Sequence, residues 1–335
     1  MSLDPDLQRL LQSVPIDFPT PVDWVAFRQL GKSMQSLIAG PGGVTPVMSV
    51  EERQIAGATG EVSLRIYRPY DPPTMTVIHL HGGGWTAGDL DTVDQTVRNI
   101  CIRLTAMVVS CTYRLAPEDP FPAAFDDALA AAKWVLAHVD ELGGDPNQVV
   151  IAGDSAGGNL AAAVAIALRN EARFSLYPVA QQLPALRAQL LLYPVVDLRD
   201  SAREAASYVA DQDPGLRSRM LNEFISAYVE GDVHADWRIS PLAADDLSDL
   251  PPALLVVLSV DPLRDQGVEY ALRLRQAAVP CELIEFPHLS HGFVQLGAIV
   301  PAAKVAFDEV LTRFRILVNA GNSANDAQSE AKPHE

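Results

Sequence analysis

The chain has 335 residues, 48% of them hydrophobic, and its 42 acidic and 25 basic side chains give a formal net charge of −17. That is enough apolar material for one large core, and the charge disfavours nucleic acid and anionic membrane surfaces as partners, since the basic stripe that they require does not appear in the sequence. Cys101, Cys111 and Cys281 stand far apart without CxxC spacing, which argues against a disulfide framework or a zinc site and reads as three small core hydrophobes.

The first residues lack the basic start and apolar run of a secretory signal, and no stretch reaches the roughly 18 apolar residues of a membrane span; the expected setting is cytoplasmic. Residues 1–46 carry Val22, Val25, Ala26, Leu30 and Met34 at helical spacing, broadened by Trp24 and Phe27, until Ala39-Gly40-Pro41-Gly42-Gly43 breaks the pattern. Val47–Ile55 and Glu61–Arg68 alternate around Gly57-Ala58-Thr59-Gly60 and predict an antiparallel hairpin. Buried-strand patterns follow at Thr76–Leu80, Met107–Cys111, Val149–Ala152, Gln189–Tyr193, Ala253–Leu258 and Cys281–Phe286. Helical patterns fall between and after them, near Thr92–Leu104, Ala123–His138, Ala156–Arg169, Gln266–Ala277 and Ala302–Val318. Continuous apolar strands separated by helices predict an α/β fold with a mostly parallel sheet covered on both faces. From Asp197 to Ser240 the alternation stops, and Met220, Leu221, Phe224, Ile225 and Tyr228 recur at helical spacing.

The expected organisation is an N-terminal cap segment (1–46), a core in two parts (47–196 and 240–318), a helical cap insertion (197–239) and a disordered, small and polar tail (319–335). Cys281–Phe286 is an edge strand that could pair in a homodimer and could equally be covered.

Gly153-Asp154-Ser155-Ala156-Gly157 directly follows a predicted strand and opens an alanine-rich helix. This is the context in which a tight strand-to-helix turn presents a serine nucleophile. A serine hydroxyl is a poor nucleophile at neutral pH and needs a base, oriented in turn by an acid. Upstream, His81-Gly82-Gly83-Gly84-Trp85 also follows a strand. Its glycines let the backbone approach a substrate oxygen, so the N–H groups of Gly83, Gly84 and Ala156 are assigned as oxyanion donors. His81 is read as holding that loop. The acid should follow a later strand: Asp261 fits, whereas Asp265 is better explained as a charge at a helix start. The base should come after the acid, and His291, followed by Gly292-Phe293, is preferred to the loop residue His288. His79, His138 and His234 read as strand, helix-surface and loop residues. Asp154 and Asn159 are expected to support the elbow, and Tyr113, Arg114 and Glu118 to tie a loop near the site. Trp85, Phe293 and His288 are candidates for the substrate pocket, although an apolar wall is equally consistent with ordinary packing.

With these motifs in order, together with Tyr113-Arg114-Leu115-Ala116-Pro117-Glu118 and Asp261-Pro262-Leu263-Arg264-Asp265, the chain resembles the hormone-sensitive lipase family, the bacterial family IV esterases of the α/β-hydrolase fold. The resemblance spans about residues 45–318. It implies Ser155, Asp261 and His291 as the catalytic triad, Gly83, Gly84 and Ala156 as the oxyanion hole, and a cap built from the N-terminus and the insertion. It also implies hydrolysis of short-acyl carboxylic esters without cofactor or metal. Three positions depart from the family pattern: Thr112 where Asp is usual, Gln266 where Glu is common, and His288 where Gly is usual.

The function expected from the sequence is therefore a serine carboxylic ester hydrolase acting on small-molecule esters, with activity rising with pH near the imidazole reference value of about 6.5. Amide or formamide hydrolysis or acyl transfer on the same triad, or a non-catalytic receptor for a small ligand, are the alternatives.

Overall fold

The computed structural model describes residues 3–13, 19–40, 42–174 and 183–330, and one eight-stranded sheet organises them. The hairpin expected around Gly57–Gly60 forms: β1 (Ser49–Ala56) pairs antiparallel with β2 (Glu61–Arg68), from Ser49 opposite Arg68 to Ala56 opposite Glu61. β1 lies at the sheet edge with Glu51 and Glu52 exposed, charges that discourage further strand addition.

β3 (Met75–Leu80), β4 (Ala106–Cys111), β5 (Val149–Asp154), β6 (Ala188–Leu192) and β7 (Ala253–Leu258) are buried at every position, as their unbroken apolar runs require. β8 (Cys281–Phe286) closes the other edge. The spatial order is β1-β2-β4-β3-β5-β6-β7-β8. β2 meets β4 antiparallel, and every pairing from β4 to β8 is parallel.

Ten helices accompany the sheet among the described residues: α1 (Pro5–Ser13), α2 (Trp24–Ser33), α3 (Gln35–Ala39), α4 (Asp94–Leu104), α5 (Ala123–His138), α6 (Ala156–Phe174), α7 (Ala206–Ala210), α8 (Ser218–Tyr228), α9 (Arg264–Gln276) and α10 (Pro301–Glu330). The period-2 alternation of the strands divides the core between the two faces of the sheet. On one face Ile78, Val109, Ile151, Leu191 and Val257 pack with Ala128 of α5, Leu160 of α6, Leu221 of α8 and Tyr270 of α9. On the other, Val77, Val108, Val150, Leu190 and Val256 pack with Val97 of α4, Phe314 of α10 and Leu7 of α1. No described helix is long and apolar enough to cross a membrane.

Of the stripe expected across Val22–Met34, Val22 is buried and Val25 is 59% exposed, while Trp24 and Phe27, expected to broaden it, turn to Phe224 of α8, each with its ring centroid 5.7 Å away. The larger aromatic surfaces decide which face is covered. α10 continues to Glu330, into the segment 319–335 that was expected as a tail, and 331–335 lie outside the described residues. Ala303, Phe307, Val310, Leu311, Phe314 and Val318 bury one face of α10. Once a helix is nucleated by such packing, its propagation into a polar run without proline costs little. α1 was not singled out by its pattern; Asp4 accepts the N–H groups of Asp6 and Leu7 at its start.

α2 is fastened to the core by Arg28. Its guanidinium donates to the Thr86 carbonyl (2.6 Å), the Ala116 carbonyl (2.8 Å) and both carboxylate oxygens of Glu118 (2.8 and 2.6 Å). Arg28→Ala should therefore loosen α2 by about 1.5–3 kcal/mol, the scale of hydrogen bonds to a charged group. Hydrogen exchange should accelerate across Trp24–Ser33 while the β3–β7 amides keep their protection; unchanged exchange in α2 would show that the aromatic contacts alone hold it.

Candidate active site

β5 runs through the middle of the sheet to Asp154, and the next residue reverses the chain. Ser155 has φ +54° and α6 begins at Ala156. A non-glycine residue in this left-handed region costs on the order of 1–3 kcal/mol and persists only where its surroundings over-determine it. Here they do. The Ser155 N–H donates to the Leu192 carbonyl at 2.9 Å, and the Ser155 carbonyl accepts from Asn159 N–H at 3.0 Å and Val195 N–H at 3.2 Å. The Asn159 side chain donates to the carbonyls of Val195 and Ile239 (2.9 and 2.7 Å). The flanking glycines are required by space: a Cβ on Gly153 would collide with the Gly157 backbone, and one on Gly157 with the carbonyls of Leu80 and His81.

The parallel order of β5 to β8 brings their C-terminal ends side by side, where sites in open α/β sheets form. Asp261 follows β7 and His291 follows β8. The structure joins them to Ser155: His291 Nε2 lies 2.8 Å from Ser155 Oγ, and His291 Nδ1 lies 2.7 Å from Asp261 Oδ2. Asp261 is 1% exposed and its other oxygen accepts the Leu263 N–H at 2.8 Å. Asp265 is directed elsewhere, accepting the Ser207 N–H and pairing with Arg264. Ser155 and His291 keep partial exposure.

Burial opposes a charge on His291, but the carboxylate of Asp261, with those of Asp213 and Asp154, outweighs it and holds the imidazole above its ordinary 6.5. Burial pushes the Asp154 carboxyl up to about 6, opposed by the Gly82 N–H and by His291.

The glycine loop comes back beside the elbow. Gly83 and Gly84 have φ +123° and +60°. The loop is fixed by the Gly83 carbonyl accepting from Thr86 and Ala87, by Gly82 N–H donating to Asp154 (2.9 Å), and by Tyr113 donating to the His81 carbonyl (2.8 Å). Among the described residues none accepts a hydrogen bond from the amides of Gly83, Gly84 or Ala156. His81 donates from Nδ1 to the Gly82 carbonyl and stacks on Tyr113 at 4.2 Å; burial lowers its proton affinity. Arg114 is held by Asp127 and Glu118 by Arg28.

The pocket candidates are corrected. Trp85 and Phe293 expose no surface. Trp85 stacks flat on Tyr228 at 4.4 Å, and Phe293 packs between Tyr193 and Phe286. Large apolar side chains beside a site are claimed by the nearest core. His288 is exposed, and its backbone carbonyl accepts the Asp4 N–H at 2.9 Å just before α1. Phe224 is the aromatic residue over the glycine loop, because a Cβ on Gly84 would fall inside its ring. The other departures are filled locally. Thr112 Oγ1 accepts the Ser63 N–H and donates to its carbonyl, and Gln266 Oε1 accepts the N–H groups of Val196 (2.6 Å) and Asp197 (2.8 Å).

Two residues at the site were not anticipated. Tyr193, at the exit of β6 with φ +37°, lies with its ring centroid 4.7 Å from that of His291. Its signal was its place at the end of a buried strand. Asp213 accepts the His291 backbone N–H at 2.8 Å; its only signal was the Asp-Pro-Gly turn, which speaks of local geometry and not of a partner 78 residues away.

The family model described as the alpha/beta hydrolase fold matches residues 77–295. A carboxylic ester hydrolase of Mycobacterium tuberculosis, LipN, is 38% identical over 322 residues, covering 94% of this chain and 83% of its own length. Ethyl acetate hydrolase of Pseudomonas putida is 34% identical over 90% of this chain and 95% of its own. Among solved structures, the hyperthermophilic esterase of the archaeon Pyrobaculum calidifontis superposes with a TM-score of 0.85 at 34% identity, covering 95% of this chain and 99% of that one.

Gln266→Leu leaves two N–H groups without their acceptor and should lower stability by about 2–4 kcal/mol, readable by urea unfolding. A loss under about 0.5 kcal/mol would mean that solvent reaches the Val196 and Asp197 amides.

Proposed function

We propose that this chain, which belongs to the alpha/beta hydrolase fold family, is a serine carboxylic ester hydrolase for small, short-acyl esters, with Ser155 as nucleophile, His291 as general base and acid, and Asp261 as the residue that orients the imidazole. The observation that carries this reading is the unbroken line from Asp261 Oδ2 through His291 to Ser155 Oγ, with contacts of 2.7 and 2.8 Å. Relatives named as ester hydrolases support the reaction class.

His291 Nε2 takes the Ser155 proton as Oγ attacks the ester carbonyl carbon. Negative charge gathers on the carbonyl oxygen against the amides of Gly83, Gly84 and Ala156, the last at the N-terminus of α6. The tetrahedral adduct collapses, the carbon–oxygen bond to the alcohol breaks, and His291 returns the proton to the leaving oxygen. Water then attacks the acyl-enzyme while giving a proton to His291, and the acid departs as Ser155 is reprotonated. Asp261 stabilises the imidazolium and keeps the tautomer with its proton on Nδ1. We read residues 1–46 and 197–239 as a cap; the cluster of Trp24 and Phe27 with Phe224 over Gly84 supports small substrates by limiting the height above the oxyanion amides.

The test is hydrolysis of p-nitrophenyl esters from acetate to palmitate by the wild type and Ser155→Ala. A short-chain optimum, lost by on the order of 10³-fold or more in the variant, is expected. A maximum on long chains would overturn the substrate class, and an inert wild type whose Ser155 ignores an organophosphonate would favour a receptor.

Activity requires neutral His291. Because its proton affinity is raised, kcat/KM should climb with pH through a midpoint above 6.5 and not at it. A rate that is flat across that interval would remove His291 from the role of base.

A further inference from the structure

The segment joining α7 to α8 reaches back to the loop that carries His291. Asp213 lies on this segment and is 0% exposed. Its Oδ1 accepts the Gly215 N–H at 2.7 Å and the hydroxyl of Ser290, and its Oδ2 accepts the His291 N–H at 2.8 Å. Gly215 presses on the same loop, since a Cβ there would meet Ser290 Oγ and lie 2.9 Å from the His291 carbonyl. The rest of the segment is braced independently. Asp211 closes α7 at φ +45° and accepts the Ser218 N–H that opens α8, and Arg217 donates to the Asp211 carbonyl. Among the described residues no cation pairs with Asp213.

A buried carboxylate without a counter-cation is a costly way to fasten two loops, and a neutral side chain would avoid that cost. All three of its partners are donors, and two of them belong to the residue that holds the base and its predecessor. We propose that Asp213 is a positioning residue for His291, through which the helical insertion fixes both the orientation and the charge surroundings of the base. The inference rests on the reading of His291 as the base of an ester hydrolase.

The charged and polar groups facing the imidazole come from four sides: Asp261 beyond β7, Asp154 at the end of β5, Tyr193 beyond β6 and Asp213 from the insertion. Asp261 and Ser155 hold the two ring nitrogens. Asp213 instead holds the peptide N–H from which the side chain springs, so it sets where the ring can point. Its negative charge adds to that of Asp261 in favouring the imidazolium that forms as Ser155 attacks. Among the described residues Asp213 bonds to Gly215, Ser290 and His291 and not to Ser155 or the glycine loop, so its effect should fall on kcat and leave KM largely alone.

The experiment compares wild type, Asp213→Asn, Ser290→Ala and Ser155→Ala with p-nitrophenyl acetate, recording kcat, KM, thermal midpoint and the pH profile of kcat/KM. Asp213→Asn should lower kcat by about 10- to 100-fold with KM within about threefold. Its acid limb should move to lower pH by about half a unit to one unit, as removal of one nearby negative charge requires. Ser290→Ala, which removes one donor and keeps the carboxylate, should lower kcat by a smaller factor without loss of fold. If Asp213→Asn folds and its kcat and acid limb superimpose on wild type, the inference is overturned. If Asp213→Asn does not fold, Ser290→Ala decides, and a wild-type kcat there overturns it. Wild-type activity that survives Ser155→Ala is a different failure, because it removes the ester hydrolase reading on which the inference stands.

Discussion

The site depends on one backbone reversal, at Ser155. A strand buried on both faces must turn within one residue into a helix that packs on the same sheet, and the turn leaves no volume for a side chain on either flank. The first turn of α6 therefore approaches the backbone of Leu80 and His81 closely, with Gly157 as the point of contact. The elbow and the glycine loop are thus one packed unit: what holds the hydroxyl in place also holds the loop amides beside it. In the proposed mechanism such groups are aligned before substrate arrives, and little reorganisation is left for the reaction itself.

The proposed base, His291, is held differently. It rests on parallel strand order, which sets the ends of β5 to β8 in a row, and on charge. Three carboxylates surround one imidazole, and their combined attraction for its proton exceeds the penalty of burial. Gln266 fits this arrangement. As an uncharged acceptor it satisfies two amides at the exit of β6 without adding a carboxylate to a region that already contains Asp197, Asp261 and Asp265.

Legibility followed the range of the interactions. Strands β3 to β7 were readable because burial on both faces writes a near-continuous apolar run, and β7 and β8 have the expected bounds. Ser155, Asp261 and His291 were readable because turn chemistry and chain order leave few other candidates, and the structure brings these three together. What could not be read was the partner of a side chain. The helical spacing named Val25 together with Trp24 and Phe27, because periodicity counts apolar residues and not which neighbour covers them. Trp85 and Phe293 looked available to substrate because nothing local says that Tyr228 and Tyr193 cover them. Asp213 announced a turn and nothing more, since its meaning lies in a contact across the fold.

The separation of the two halves of the site along the chain has a consequence for when it comes into being. His291 lies 136 residues after Ser155, on the loop beyond the last strand to be synthesised, and that strand sits at the sheet edge with Ile284 as its one buried residue. A growing chain can complete the elbow and the glycine loop before it holds the proposed base, and on that reading competence requires β8 and the loop beyond it to be in place. The same edge position places the base on one of the less protected parts of the sheet, so fraying of β8 would silence the serine while the central strands stay folded. On the proposed mechanism the hydroxyl stays inert toward its surroundings until the loop beyond β8 reaches it.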